Sequence, residues 1–263
     1  GVVRLNAGSG VLAVAALQDG HRLAAVLWCG GVEIWDVGVA PPIRMATVTC
    51  GSHHIPVWSL AVLRDGRLAA GCDGGTVRII DADAGAVVAT LKGHTNKARA
   101  LAVLPDGRLA SGSYDRTVRV WDVGARLCVA TLIGHRDYIV ALAVLMDGRL
   151  ASGAHDFTVR LWDVGTHTCV VVLTGHTYVV TALAALPDGR LASVSDDRTA
   201  RLWDTRPAAA AAGSHAAATV PMVAFADGLS GPMALVPLLD GRLACANEND
   251  VYLLQVPPSA PYE

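Results

Sequence analysis

The chain has 263 residues, 52% of them apolar and much of that Ala and Val with only two Phe, so a large core is within reach. Lys and Arg total 21 against 23 Asp and Glu, a net charge of −2. That balance gives no hint of a clustered positive surface for phosphates, and no apolar run approaches the roughly 18 residues of a membrane helix, so nucleic acid and membrane are both disfavoured as partners.

From the N-terminus, the chain starts Gly1-Val2-Val3 without Met and carries no signal-peptide pattern, so it is expected to come from a longer polypeptide. The first periodic mark is Asp19-Gly20-His21-Arg22-Leu23-Ala24, followed by Trp35-Asp36. The string Asp-Gly-Arg-Leu-Ala then begins at Asp65, Asp106, Asp147, Asp188 and Asp240. The first three intervals are 41 residues and the last is 52, so an insertion follows Asp204. Gly-His recurs at His94, His135 and His176, again every 41. Trp-Asp closes the units at Trp35, Trp121, Trp162 and Trp203, with Ile80-Asp81 in the missing place. Three markers sharing one period make this a repeat protein, read as a single domain over residues 1–263.

Within a unit the pattern is β. Residues 98–104 form an apolar run ended by the turn Pro105-Asp106-Gly107. A second short strand covers 108–113, and a turn at Tyr114-Asp115-Arg116 leads into the alternating Thr117-Val118-Arg119-Val120-Trp121. Residues 128–132 are a fourth, β-branched strand. Four short strands per unit of about 41 residues, with turn residues between them, predict an all-β fold of antiparallel sheets.

Units of this length marked by Gly-His and Trp-Asp resemble the WD-repeat β-propeller family. The resemblance is close over 85–204, moderate over 11–84 and weak over 205–256. It implies four-stranded blades, with Gly-His in the loop before each inner strand and Trp-Asp ending each third strand. Third strands are expected to end at Trp35, Ile80, Trp121, Trp162, Trp203 and Leu254, which makes six blades. Pro257-Pro258 stops the last ladder. Val2-Val3-Arg4-Leu5 is expected to supply the missing outer strand and close the ring. The alternative is a seven-blade ring that has lost one blade. The Ala-rich insertion near 205–218 is read as a rim loop before an outer strand near 219–225.

Six cysteines, Cys29, Cys50, Cys72, Cys128, Cys169 and Cys245, form no CxxC pair and are read as buried, reduced strand residues of a cytoplasmic or nuclear chain. His53-His54 beside Cys50 lack a fourth metal ligand, and the glycines at 71–75 precede no helix with a Lys. No metal or cofactor is expected.

Three units carry His, Ser, Asp and Trp in fixed register: His94, Ser111, Asp115 and Trp121; His135, Ser152, Asp156 and Trp162; His176, Ser193, Asp197 and Trp203. Ser, His and Asp together invite a hydrolase reading, but no substrate needs three copies of one site. The family resemblance implies a buried structural tetrad instead, Asp to His, His to Ser and Ser to the indole N–H. The first, second and sixth units lack the tetrad and are expected to hold by apolar packing alone.

The loops that reach the narrow face vary where the tetrads do not. They offer Trp28, Trp58, Lys97, Arg99, Tyr114, Arg136, Tyr138, His155, Tyr178 and Asp196, a set rich in interface-type residues. With Glu248 beside Asp196, the face is expected to be aromatic and basic on one side and acidic on the other. The function expected is a non-enzymatic scaffold or adaptor that grips a peptide or partner domain. The rivals are a propeller hydrolase with acidic channel ligands and a structural oligomer module.

Overall fold

The computed structural model describes residues 7, 10–50, 56–205, 222–226, 234–238, 242–246 and 251–256. The described residues form 23 strands and no helix. The first sheet is β1 (Val11–Ala16), β2 (Arg22–Leu27), β3 (Gly31–Asp36) and β4 (Ile43–Thr49). The second is β5 (Val57–Val62), β6 (Leu68–Cys72), β7 (Val77–Asp81) and β8 (Ala86–Leu91), and the third is β9 (Ala98–Val103), β10 (Leu109–Ser113), β11 (Thr117–Asp122) and β12 (Leu127–Ile133). The fourth is β13 (Ile139–Val144), β14 (Leu150–Ala154), β15 (Val159–Asp163) and β16 (Thr168–Leu173). The fifth is β17 (Val180–Ala185), β18 (Leu191–Ser195), β19 (Ala200–Trp203) and β20 (Met222–Ala226). The sixth has three described strands, β21 (Ala234–Pro237), β22 (Arg242–Ala246) and β23 (Val251–Gln255). Every sheet is an antiparallel meander in chain order, and the fold is an all-β propeller of six blades.

The chain divides into two compact units, Gly1–Ile133 with the first three blades and Gly134–Glu263 with the last three. In each unit, the inner strand of one blade packs against the inner strand of the next: β1 on β5 and β5 on β9, then β13 on β17 and β17 on β21. The core lies between consecutive sheets. Val26, Ile34, Leu68 and Ile80 fill the space between the first and second. Leu91, Leu109 and Trp121 belong to the cluster between the second and third. In the other unit, Leu161, Leu183 and Trp203 join the fourth to the fifth, and Val194, Leu202 and Leu243 join the fifth to the sixth. Strands β6, β10, β14 and β18 are buried at every residue, which is why they read as runs of Leu, Ala, Ser, Gly and Val rather than as polar–apolar alternation.

The repeated Asp-Gly-Arg fixes the first hairpin of the second to fifth blades. Gly107 has φ +88°, a left-handed conformation that a side chain disfavours. The Asp106 carboxylate accepts the Arg108 N–H (3.0 Å) and its guanidinium (2.6 Å), closing the turn. A second device lies at the third strand. In the first four blades the outer strand carries one extra residue opposite the Trp or Ile, at Met45, Val88, Val129 and Val170. Each of these bulged residues is exposed, so the irregularity turns one apolar side chain out while its neighbours stay in register.

Three expectations are corrected. The first blade is not held by apolar packing alone. Glu33, two residues before Trp35, is buried and accepts the Trp35 indole N–H (3.0 Å) and the Arg44 guanidinium (2.8 Å). It stands opposite Ala25, where the third blade has Ser, so an acceptor from the neighbouring strand replaces the missing hydroxyl. Glu33→Ala is expected to cost about 1–3 kcal/mol, because it leaves a buried donor unmet. Urea denaturation checks it, and an unchanged midpoint would show that packing alone holds Trp35. The cysteines are not all buried: Cys29 is exposed and Cys128 and Cys169 are half-buried. The last two accept from Arg119 (3.5 Å) and Arg160 (3.6 Å), and Cys128 also packs against the edge of the core between the second and third sheets, so a guanidinium covers part of each thiol. The outer strand of the fifth blade is β20, a little later than expected. Residues 2–5, His53, His54, Glu248 and the insertion at 206–221 lie outside the described residues.

Candidate interaction surface

Two systems of side chains stand out, one buried and one on the turn side of the blades. The buried system is the tetrad. Its Asp sits in the turn after the second strand, its Ser on that strand, its Trp at the end of the third, and its His in the loop before the first. In the third blade, Trp121 Nε1 donates to Ser111 Oγ (2.7 Å), Ser111 Oγ meets His94 Nε2 (2.7 Å), and His94 Nδ1 meets Asp115 Oδ2 (2.7 Å). The fourth blade repeats these contacts at 2.8, 2.7 and 2.8 Å and the fifth at 2.8, 2.7 and 2.7 Å. A neutral imidazole protonated on Nδ1 satisfies the whole chain: indole to hydroxyl, hydroxyl to Nε2, and Nδ1–H to carboxylate.

Sequence reading missed a fifth member. Thr117, Thr158 and Thr199 donate their hydroxyls to the same aspartates (2.7, 2.7 and 2.6 Å), and they too recur every 41 residues. The glycine before each tetrad His also has a physical reason. A Cβ at Gly93 would come within 2.9 Å of the Trp121 ring and the Arg119 guanidinium, so no larger residue closes the loop this tightly.

Burial alone would raise the aspartates, but the hydrogen bonds win. For Asp197, Thr199, the Thr177 N–H and His176 hold the carboxyl down to about 2. Asp115 and Asp156 lie well below the usual carboxylate range for the same reason. Burial pushes His176 down, against the pull of Asp197. The three seryls have no exposed surface, so none offers a lone pair to a bound molecule. Among the described residues, no three of His, Cys, Asp and Glu gather as metal ligands.

The second system lies on the turn side. In the first unit it unites five of the singled-out residues. Trp28, in the turn between β2 and β3, is 64% exposed and meets Trp58 edge-on, with centroids 6.4 Å apart. Lys97 Nζ lies 5.1 Å from the Trp58 ring centre and 5.9 Å from that of Tyr114. Arg99 covers Trp58 at 5.2 Å and donates to its carbonyl (3.2 Å). Asp73, in the turn between β6 and β7, accepts the Trp58 indole N–H (2.9 Å) and pairs with Lys97 (2.7 Å). The cluster carries two cations to one carboxylate.

In the second unit the residues form two aromatic pairs. Tyr138 tilts against His155 at 5.4 Å. Tyr178 stacks on Phe157 at 5.6 Å and 15°, and Phe157 is a residue sequence reading did not single out. Asp196 is exposed in the next turn. Arg136 is exposed and belongs to neither pair; its backbone N–H donates to Asp156 (2.9 Å).

No curated protein matches the chain by sequence. Many solved structures share the fold, 1535 chains in all, so the fold by itself selects no function. One of them, a chain of "Crystal Structure of Mitotic Checkpoint Complex", superposes with TM-score 0.80 at 24% identity, over 96% of this chain and 76% of that one. At that identity the likeness is one of fold. The repeat described as "WD40: WD domain, G-beta repeat" matches residues 46–81, 85–122, 126–163 and 167–204. The last three segments each begin with an outer strand and end with the third strand of the next blade, so repeat and blade are out of phase by one strand. Four such matches cover more than half of the chain, and the chain belongs to the WD-repeat family.

Proposed function

We propose that this propeller is a non-enzymatic scaffold that grips a partner protein or peptide through its turn-side loops. WD-repeat propellers commonly bind proteins, and the fold-sharing chain named above comes from a protein complex. The observation that carries the reading is the Trp28–Trp58 pair with Lys97, Arg99 and Tyr114 around it. Large rigid aromatics beside Arg are the residues that dominate binding energy at interfaces. Trp28 supports no core, yet it holds 64% of its surface in water beside a second indole. Exposed apolar area of that kind is held at little gain unless something covers it. The second unit carries exposed aromatics of its own, Tyr138 beside His155 and Tyr178 on Phe157, with Arg136 and Asp196 as its charged residues.

The hydrolase reading loses support from the tetrads, whose serines are sealed beneath indoles. Neither cofactor, metal, nucleic acid nor membrane belongs to the proposed activity, and the reduced thiols fit a cytoplasmic or nuclear chain. The test is a titration with a captured partner, comparing Trp28→Ala with the rim change Arg126→Ala. Trp28→Ala is expected to weaken binding by about 2 kcal/mol or more at unchanged stability, and Arg126→Ala to do little. Loss in the rim variant alone would move the partner to the blade edges. A sizing column that shows a stable oligomer burying Trp28 would favour the structural module.

A further inference from the structure

In the first unit, Lys97 bridges two consecutive turns. Its ammonium pairs with Asp73 in one and lies over Tyr114 in the next. Two repeats further along, the same three positions are His155, Val179 and Asp196. The backbone confirms the equivalence: Tyr114 N–H donates to the Lys97 carbonyl (3.0 Å), and Asp196 N–H donates to the Val179 carbonyl (3.0 Å). Where the first unit fills the gap with its own cation, the second presents a carboxylate and a short apolar side chain. The two carboxyls respond differently. Burial raises both, but Lys97 and the Trp58 N–H bring Asp73 below its ordinary value. Asp196 stays above, with His155 the one group drawing it down.

Beside this gap stands a second anomaly. Phe157 has φ +68°, a strained conformation for a bulky residue. The equivalent residues are Gly75, Arg116 and Arg198, so a large ring here is not what the turn requires. Its side chain is 39% exposed and stacks on Tyr178, itself 53% exposed. The Ser195 hydroxyl donates to the Tyr178 carbonyl (3.1 Å) and the Asp196 N–H to the Val179 carbonyl (3.0 Å). The turn that carries Asp196, which has no ion pair among the described residues, is thus tied to the loop that carries the exposed stack, and together they offer a surface for a flat cation. Guanidinium fits both parts: it stacks on aromatic faces, is weakly hydrated, and pairs with a carboxylate through two N–H groups.

We propose that the second unit binds an arginine side chain of a partner segment, its guanidinium against the Phe157–Tyr178 stack and paired with Asp196. The inference rests on the reading that the turn side receives a partner, and it names the chemistry of that partner.

The probe is the peptide acetyl-Gly-Ser-Arg-Ser-Gly-amide, titrated into the full chain and followed by the ring-proton shifts of Phe157 and Tyr178. The same peptide with citrulline for arginine keeps the shape and removes the charge. The arginine peptide is expected to shift both rings, and the citrulline peptide to bind at least tenfold more weakly. Asp196→Asn is expected to weaken the arginine peptide at least tenfold. Phe157→Gly, which relieves the backbone, is expected to do the same, followed through Tyr178. Val179→Lys is expected to fill the gap from within, as Lys97 does, and to abolish binding. Equal binding of the citrulline peptide, or undiminished binding to Val179→Lys, would overturn the proposal. A lysine peptide as tight as the arginine one would overturn the choice of arginine. Trp28→Ala is expected to leave this titration unchanged, so the two readings fail separately. A silent titration with Trp28 still deciding partner capture refutes this site alone.

Discussion

Asp156→Ala is expected to destabilise the protein by about 3 kcal/mol, the largest effect of any single change off the apolar core. Four donors lose their acceptor: His135 Nδ1 (2.8 Å), the Arg136 N–H (2.9 Å), and the Thr158 N–H (3.1 Å) and hydroxyl (2.7 Å). The Arg136 N–H sits at an exposed residue and can turn to water, but the His135 side chain has no exposed surface and cannot. Removing one partner from a buried network costs more than the network is worth, because the others stay desolvated. Asp115→Ala and Asp197→Ala should fall within a factor of two of it, since their geometry is the same. Asp83→Ala, which breaks an exposed pair with Arg22, should cost under about 1 kcal/mol. Urea denaturation of the four variants measures this, and a tetrad variant as mild as Asp83→Ala would mean that the tetrads carry no load.

Acid should weaken the fold in two steps. Burial lowers His176 from its ordinary 6.5. Below about pH 6.5 the unfolded chain therefore takes up a proton that the folded chain refuses, and stability falls until the folded value is reached. Asp197 runs from an ordinary 3.8 to about 2 in the fold. Its contribution is complete above pH 4 and is lost as the pH drops through about 2. Each group acting alone sets a slope of at most about 1.4 kcal/mol per pH unit. The check is denaturation at pH 7, 5 and 3 for the wild type and Asp197→Asn. The variant should start less stable and lose less below pH 4. Parallel curves would mean that Asp197 ionises alike in folded and unfolded chains.

The blades were legible because their markers are local. A turn glycine, a loop His and a strand-ending Trp sit within one unit and repeat at 41 residues, so their contacts follow from one repeat read correctly. Glu33 was hidden because it does a Ser's work from another strand, and a lone acid in Val32-Glu33-Ile34-Trp35 reads as a solvent-facing residue. Its signal was present: it stands two before a Trp whose usual partner position holds Ala25. The tetrad threonines carried the period openly but look like ordinary β-formers. Lys97 over Trp58 and Phe157 on Tyr178 join neighbouring blades, and no pattern inside one repeat encodes such contacts. Phe157 could have been found by comparing copies, since an aromatic where the sister turns hold Gly or Arg is the one residue out of series.

The division of labour between buried tetrads and exposed turns is tested most directly by where a bound partner touches the chain. A photo-crosslinking phenylalanine can be placed at position 28, in the β2–β3 turn, or at position 126, where Arg126 is exposed on the rim. Both sites are outside the core, and the melting temperature of each variant shows that it folds as the wild type does. The account predicts a crosslinked partner from position 28 and little from position 126. Crosslinks from position 126 alone would contradict it.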